Sequence, residues 1–245
     1  MIYTHQSDNH GKELSPIKGM DGYILSGDQA DNNVDNFTPG IMHEGVFTPK
    51  SWRGFWNFRM IDKVAEAKEQ REWWMKQLDA LKKKGYGPEK IIFCPGNHDF
   101  VDMTDLLPYS CWQTPKTITF NGIKVGLLPG VLPLVNEWND EITEYEIKQR
   151  ILSIDPDIDL LVSHVPPYGI LDAGHGTQHI GSQELYTAIM GGAFGSIPPH
   201  FTKLQLHCFG HAHGGRGVDT FSIGKRKIKF SNAAESRHDH MEVKS

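Results

Sequence analysis

The sequence has no long apolar run. Hydrophobic residues fill 38% of its 245 positions and the mean hydropathy is −0.43, so no stretch reaches the roughly 20 apolar residues a membrane span requires. Cysteine is scarce: three residues, an odd count, speak against a disulfide framework, and Cys94 and Cys208 lie inside apolar runs where they read as small buried hydrophobes. Positive charge is not in excess either, with 25 Lys and Arg against 30 Asp and Glu and a formal net charge of −5. General attraction to nucleic acid or a membrane surface is therefore not expected, and any affinity for phosphate must be built locally. No basic segment followed by an apolar stretch opens the chain, so a cytoplasmic location is expected. No linker or shift in composition divides it, and we read one domain over residues 1–245 with a loose polar tail at 236–245.

What the chain does have is five short strand-like runs that each stop at a polar, usually glycine-flanked segment. The clearest is Ile91-Ile92-Phe93-Cys94, which suits a strand buried on both faces and is broken by Pro95-Gly96 before Asn97-His98-Asp99. Residues 2–7 read as a first strand, too polar at Thr4, His5 and Gln6 for an ordinary central one, and lead into Asp8-Asn9-His10-Gly11. Tyr23 to Ser26 is followed by Gly27-Asp28-Gln29-Ala30-Asp31. Ile158 to Val162 ends at Ser163-His164-Val165, and Leu204 to Phe209 ends at Gly210-His211-Ala212-His213.

Helical spacing of apolar residues predicts amphipathic helices over 61–81 and 141–154, and Ser182 is placed to cap a third that reaches Met190. Asn121-Gly122 between two strand-like runs predicts a hairpin, and a second hairpin is expected over 217–232 with its turn near Gly224. Residues 32–58 show no period and carry an aromatic cluster, Trp52, Phe55, Trp56 and Phe58, read as packing beneath a long loop. The basic turn with Lys225, Arg226, Lys227 and Lys229 reads as a guarded edge strand rather than a nucleic-acid contact.

In α/β sheets the open space for ligands lies beyond the carboxyl ends of the strands, so the five stops can converge on one site. They deliver Asp8, His10, Asp28, Asn97, His164, His211 and His213. Imidazole mixed with carboxylate oxygen suits Mn, Fe or Zn better than Ca or Mg. Seven donors are too many for one catalytic ion with an open position, and suit two divalent ions sharing a bridging carboxylate. Two such ions outweigh the two carboxylates and supply the local pull on an anionic substrate. A hydroxide held between two cations is a strong nucleophile at neutral pH, and the cations can clamp a phosphate for in-line attack. The leaving oxygen then needs a proton, which His98, next to Asn97, can deliver as general acid.

In this order the motifs resemble the signature of the calcineurin-like metallophosphoesterase superfamily: D-x-H, G-D-x-x-D, G-N-H-D/E, H and G-H-x-H. The resemblance runs from Asp8 to His213. It implies a four-layer α/β/β/α sandwich of two mixed β-sheets flanked by helices. It also implies one metal on Asp8, His10, Asp28 and His213 and a second on Asp28, Asn97, His164 and His211, with Asp28 bridging. His98 and Asp31 match the family's catalytic pair, with Asp31 orienting and charging the imidazole; Asp99 is the alternative partner or else the cap of the next turn, and stays unassigned. Within the superfamily, Ser163-His164-Val165-Pro166-Pro167-Tyr168-Gly169, His179-Ile180-Gly181 and Ser231-Asn232-Ala233 look like the small phosphodiesterase branch that includes the brain metallophosphodiesterase-like proteins.

The expected activity is hydrolysis of a small phosphodiester, a nucleotide or cyclic nucleotide, with manganese the favoured metal in vitro. A phosphomonoesterase, a nuclease and a catalytically silent metal-binding scaffold are the alternatives. Asn97, His179 and Tyr168, with His175 and His43, are the candidate substrate contacts.

Overall fold

The structure is a computed structural model that describes residues 1–33, 61–134, 136–174, 178–192, 196–235 and 237–244, and the backbone alone of 37–43, 46–49 and 58–60. The chain runs through β1 (Ile2–Gln6), β2 (Gly22–Leu25), β3 (Phe37–His43), β4 (Val46–Pro49), β5 (Phe58–Ile61) and α1 (Lys63–Lys83). It continues with β6 (Ile91–Phe93), β7 (Tyr109–Ser110), β8 (Lys116–Phe120), β9 (Ile123–Leu128), α2 (Glu144–Leu152), β10 (Leu160–Ser163) and α3 (Gln183–Met190). The last elements are β11 (Leu206–Phe209), β12 (Gly217–Ile223), β13 (Arg226–Asn232) and β14 (Asp239–Glu242).

Two mixed sheets result. The first has the order β14-β1-β2-β6-β7, parallel except for β14; the second has the order β12-β13-β11-β10-β9-β8, antiparallel only at its two edges. Period-two alternation sorts the core into three apolar layers. Ile24 and Ile92 face Val125, Leu160 and Cys208 between the sheets, whereas Tyr23, Leu25, Ile91 and Phe93 face Trp74 and Leu81 of α1. On the far side Leu161, Phe209 and Phe230 pack with Ile147 and Ile151 of α2 and Leu185 and Ile189 of α3. This is the four-layer arrangement the sequence led us to expect.

The helices start where a side chain can take their first amides. Asp62 Oδ1 accepts from Val64 N at 3.1 Å and Ala65 N at 3.0 Å, and Ser182 caps α3. Thr143 and Glu146 form a reciprocal capping box, which is why α2 begins three residues later than its apolar pattern suggests. Tyr145 and Leu152, counted in that pattern, face solvent. Asn121 and Gly122 both have positive φ, the turn a two-residue hairpin needs.

Three expectations are corrected. The stretch read as a long loop forms a three-stranded antiparallel sheet in the order β4-β3-β5; its aromatic side chains Trp52, Phe55, Trp56 and Phe58 lie outside the described residues. Within the tail expected to be loose, β14 pairs with β1, Met241 opposite Tyr3, and buries Met241 and Val243 in the central layer. The polar first strand is a genuine central one because every polar group on it is partnered. Thr4 Oγ1 accepts from Ile17 N at 2.9 Å, His5 lies between Ser26 and Ser231, and Gln6 binds Asn9 and the Tyr23 hydroxyl. Among the described residues no helix is long and apolar enough to cross a membrane.

Candidate metal centre

Strands β1, β2 and β6 of one sheet and β10 and β11 of the other end at a common cleft of about 440 Å³. Asp8, His10, Asp28, Asn97, His98, His211 and His213 line it, together with Leu134, Gly174, Gln178 and Ile180. The loops that carry these side chains are tied to one another through the backbone. Asp8 N donates to Gly27 O at 3.1 Å, His10 N to Asp28 O at 3.2 Å, and Gly210 N to His164 O at 3.2 Å. Asp8, His10, Asp28 and His211 all have positive φ, between 44° and 66°. Each costs on the order of 1 kcal/mol that the surrounding ties must offset, a cost found where a side chain has to be aimed. The glycines are there for room: a Cβ on Gly96 would lie 2.2 Å from Asp28 Oδ1, and one on Gly210 would lie 2.2 Å from Asp8 Oδ2.

Two groups of donors assemble, each with its ligand atoms within 4.8 Å of one another: Asp8, His10 and His213, and Asp28, His164 and His211. His213 Nε2 is 3.0 Å from Asp8 Oδ1, and His164 Nε2 is 3.0 Å from Asp28 Oδ2 but poorly aimed for a hydrogen bond. His164 Nδ1 donates to the Ser26 carbonyl at 2.7 Å, which leaves Nε2 as the ring nitrogen turned toward Asp28. Fixing one ring nitrogen on a carbonyl to present the other is how protein imidazoles are set up for metal.

Asn97 gives the most direct sign of an external partner. It is 1% exposed and, among the described residues, neither Oδ1 nor Nδ2 finds a hydrogen-bond partner. An amide abandoned in this way costs about 1–3 kcal/mol unless something fills its lone pairs. The electrostatics agree. Burial pushes the His164 pKa down, but the Asp28 and Asp8 carboxylates overcome it and raise it to about 10. Both carboxylates, despite burial, are held below the usual range with His164 as the main opposing influence. His211, by contrast, is lowered to about 3 by burial and by the nearby His164. The two carboxylates thus recruit positive charge, which a proton on His164 or a divalent cation can supply, and the donor set fits divalent cations.

Two features were not legible in the sequence. Asp99 is fully buried and accepts from Asp28 N at 2.7 Å, Gly96 N at 2.9 Å and Gln29 N at 3.1 Å. It clamps the Asp28 and Asn97 loops together rather than merely capping a turn, and burial together with the Asp28 charge raises its pKa to about 7. The partner of His98 is also different: His98 Nδ1 meets Asn32 Oδ1 at 2.5 Å, while Asp31 is exposed and accepts from Asn32 N at 2.9 Å. The expected pairing of His98 with Asp31 is therefore replaced by its neighbour, because Asp31 turns outward at the end of the loop.

Of the candidate substrate contacts, Asn97 lines the cleft, whereas the described part of the loop carrying Tyr168 and His179 presents other residues to it. His179 and Tyr168 stack on each other at 5.0 Å, and His179 Nδ1 pairs with Asp172 at 2.7 Å. It is the flanking Gln178 and Ile180 that line the cleft. His175 and the side chain of His43 lie outside the described residues.

No curated protein matches the chain. The family model for calcineurin-like phosphoesterases matches residues 11–215, more than four fifths of the sequence. With two groups of metal-ligating side chains at the strand ends of a two-sheet sandwich, the chain belongs to the calcineurin-like phosphoesterase family, metal-dependent hydrolases of phosphoesters.

Proposed function

We propose that this protein hydrolyses a small phosphodiester of the nucleotide class. In this reading Asp8, His10, Asp28 and His213 hold one divalent cation and Asp28, Asn97, His164 and His211 hold another. Bound there, the two cations would supply an activated water and neutralise charge on the phosphate. The chain's own contribution to bond cleavage is His98, which lines the cleft next to Asn97 and whose backbone N–H donates to Asp28 Oδ1 at 2.8 Å. Burial holds its pKa below the ordinary histidine value against the pull of Asp28. A proton taken up at His98 is thus released readily, as a general acid to the leaving oxygen requires. Trp138 covers the His98 ring at 3.9 Å between centroids and shields it from bulk water. Leu134 and Ile180 give the cleft an apolar rim suited to the organic arm of an ester.

The observation that carries the proposal is the buried, unpartnered Asn97 beside His98 within two carboxylates and four imidazoles. The test compares bis(p-nitrophenyl) phosphate with p-nitrophenyl phosphate on protein stripped of metal and reloaded with Mn²⁺. Diester turnover that requires metal and is lost in both Asn97→Ala and His98→Ala is expected. Preferential turnover of the monoester would make the protein a phosphomonoesterase, and activity in stripped protein would overturn the proposal.

A further inference from the structure

His98 is held by a chain of contacts that leads away from the cleft into the first helix. Asn32 Oδ1 faces His98 Nδ1 at 2.5 Å, and Asn32 Nδ2 donates to Glu66 Oε2 at 3.0 Å and to the His98 carbonyl at 3.2 Å. Glu66 lies on α1, is fully buried, and uses its other oxygen to accept from Asn33 N at 2.9 Å. Gln70, one turn further along α1, donates to the same His98 carbonyl at 2.7 Å and accepts from Phe100 N at 2.7 Å.

This arrangement decides an assignment that heavy-atom positions alone leave open. The partners of Asn32 Nδ2 are a Glu66 carboxyl oxygen and the His98 carbonyl, and a carbonyl can only accept. A flipped amide would set its oxygen against the His98 carbonyl, so the amide has one favoured orientation, with Oδ1 facing the imidazole. Nδ1 of His98 then carries a proton. Nε2 is the ring nitrogen left for the cleft that His98 lines. The ring cannot easily turn away from this setting, since Trp138 covers one face at 3.9 Å and His10 meets it edge-on at 5.1 Å.

We propose that Glu66 and Asn32 form a positioning relay that fixes His98 with its proton on Nδ1, so that Nε2 exchanges protons with the substrate. The inference rests on the role given to His98 above, and it assigns to a neutral amide and a helix carboxylate the place expected of Asp31. A free imidazole in water prefers the proton on Nε2, so the relay selects the less common tautomer and keeps it ready to accept or return a proton at Nε2.

The test combines long-range ¹H–¹⁵N spectra of the zinc-loaded, ¹⁵N-histidine-labelled protein, with His98 identified by its loss in His98→Gln, and steady-state kinetics on the diester. The native protein should show His98 protonated at Nδ1. Asn32→Ala should mix the tautomers and lower kcat about 10–100-fold, the usual cost of losing an orienting partner, with KM within about threefold. Glu66→Ala should lower kcat in the native background but add little to Asn32→Ala, as expected of two members of one relay. A native His98 protonated at Nε2, or an Asn32→Ala protein unchanged in tautomer or, where His98→Gln loses turnover, in kcat, would overturn the relay. If Asn32 controls the tautomer while His98→Gln keeps full turnover, the relay stands and the role of His98 as acid falls.

Discussion

Two buried polar clusters sit within one strand's length of each other, and they are built on opposite plans. Between the sheets, His5 is fully buried with both ring nitrogens engaged, by Ser231 Oγ at 2.7 Å and Ser26 Oγ at 2.8 Å. Ser231 donates on to Asp239 at 2.8 Å, and Asp239 is met by Arg237 at 2.5 Å. Every group in that cluster finds its partner inside the protein. At the cleft, a few residues along the same strands, Asn97 has no partner, and Asp8, His10, Asp28 and His211 hold left-handed backbone. The two clusters even share a residue: Ser26 gives its hydroxyl to His5 and its carbonyl to His164. Burial of polar groups therefore does not distinguish a site from a scaffold. What distinguishes them is whether the hydrogen bonds close within the chain, and the strain accepted where they do not.

The sharpest way to break this comparison is to remove one group from each cluster and measure both activity and stability. Asn97→Ala should lower metal-dependent phosphoester turnover on the order of 100-fold or more, as should chelation of the native protein. The urea midpoint of the metal-free variant should hold or rise, because two unpaired buried atoms are deleted. His5→Ala should do the reverse. It leaves Ser26 and Ser231 facing a cavity and should cost about 2–4 kcal/mol in urea unfolding, with kcat within about threefold. A destabilised Asn97→Ala protein, or an inactive but stable His5→Ala protein, would erase the distinction.

Acid sharpens it further. Burial lowers the pKa of His5 and of His207 to about 3 from the ordinary 6.5; His5 is aided slightly upward by Asp8, and His207 is pushed further down by His5. Between those values the unfolded chain binds a proton at each histidine that the native chain does not. Unfolding free energy therefore falls as pH drops from about 6.5 toward 3, by up to about 1.4 kcal/mol per pH unit per histidine, and this contribution is fully present above 6.5. Urea unfolding at pH 7, 6 and 5 should show that slope, and His207→Leu should remove about one proton's worth of it. His207 Nδ1 is itself buried without a partner while Nε2 meets Ser163 Oγ at 2.8 Å, so at pH 7 this variant should lose less stability than His5→Ala.

The sequence made the five strand stops readable because each couples an apolar or strand-like run to a glycine or proline break and a metal-ligating side chain, signals that are local. The two mixed sheets in four layers came with the family resemblance that these motifs carry, and the order of strands within each sheet emerged only from the structure. What stayed hidden depends on groups far apart in the chain. β14 pairs with β1 across nearly the whole sequence and alternates only Met241 and Val243 inward, too short a period to stand out. The role of Asp99 rests on backbone amides 70 and 71 residues away. Of the loop around His179, the sequence offered the histidine as the chemically rich residue, yet Asp172 occupies it and the plain neighbours Gln178 and Ile180 reach the cleft. Which face of a loop turns inward is set by the residues packed behind it, and these do not show in its own composition.

The smallest expected effect is the most pointed. Asp31 and Asn32 are neighbours, and by its spacing in G-D-x-x-D the sequence favours Asp31 as the partner of His98. In the structure the charges that act on His98 to favour its protonation are Asp28 and Asp8, and His98 Nδ1 donates its hydrogen bond to Asn32 Oδ1. Asp31 is exposed and, among the described residues, accepts only a local amide, that of Asn32 at 2.9 Å. Removing such a contact costs about 1 kcal/mol or less, and it leaves the Glu66 contact on Asn32 intact. Asp31→Ala should therefore change kcat for the diester by no more than about threefold and leave its pH dependence in place, while Asn32→Ala falls at least tenfold. Equal losses in Asp31→Ala and His98→Ala, measured side by side on the Mn²⁺-loaded protein, would return the partner role to Asp31. That result would mean that metal loading turns this loop inward.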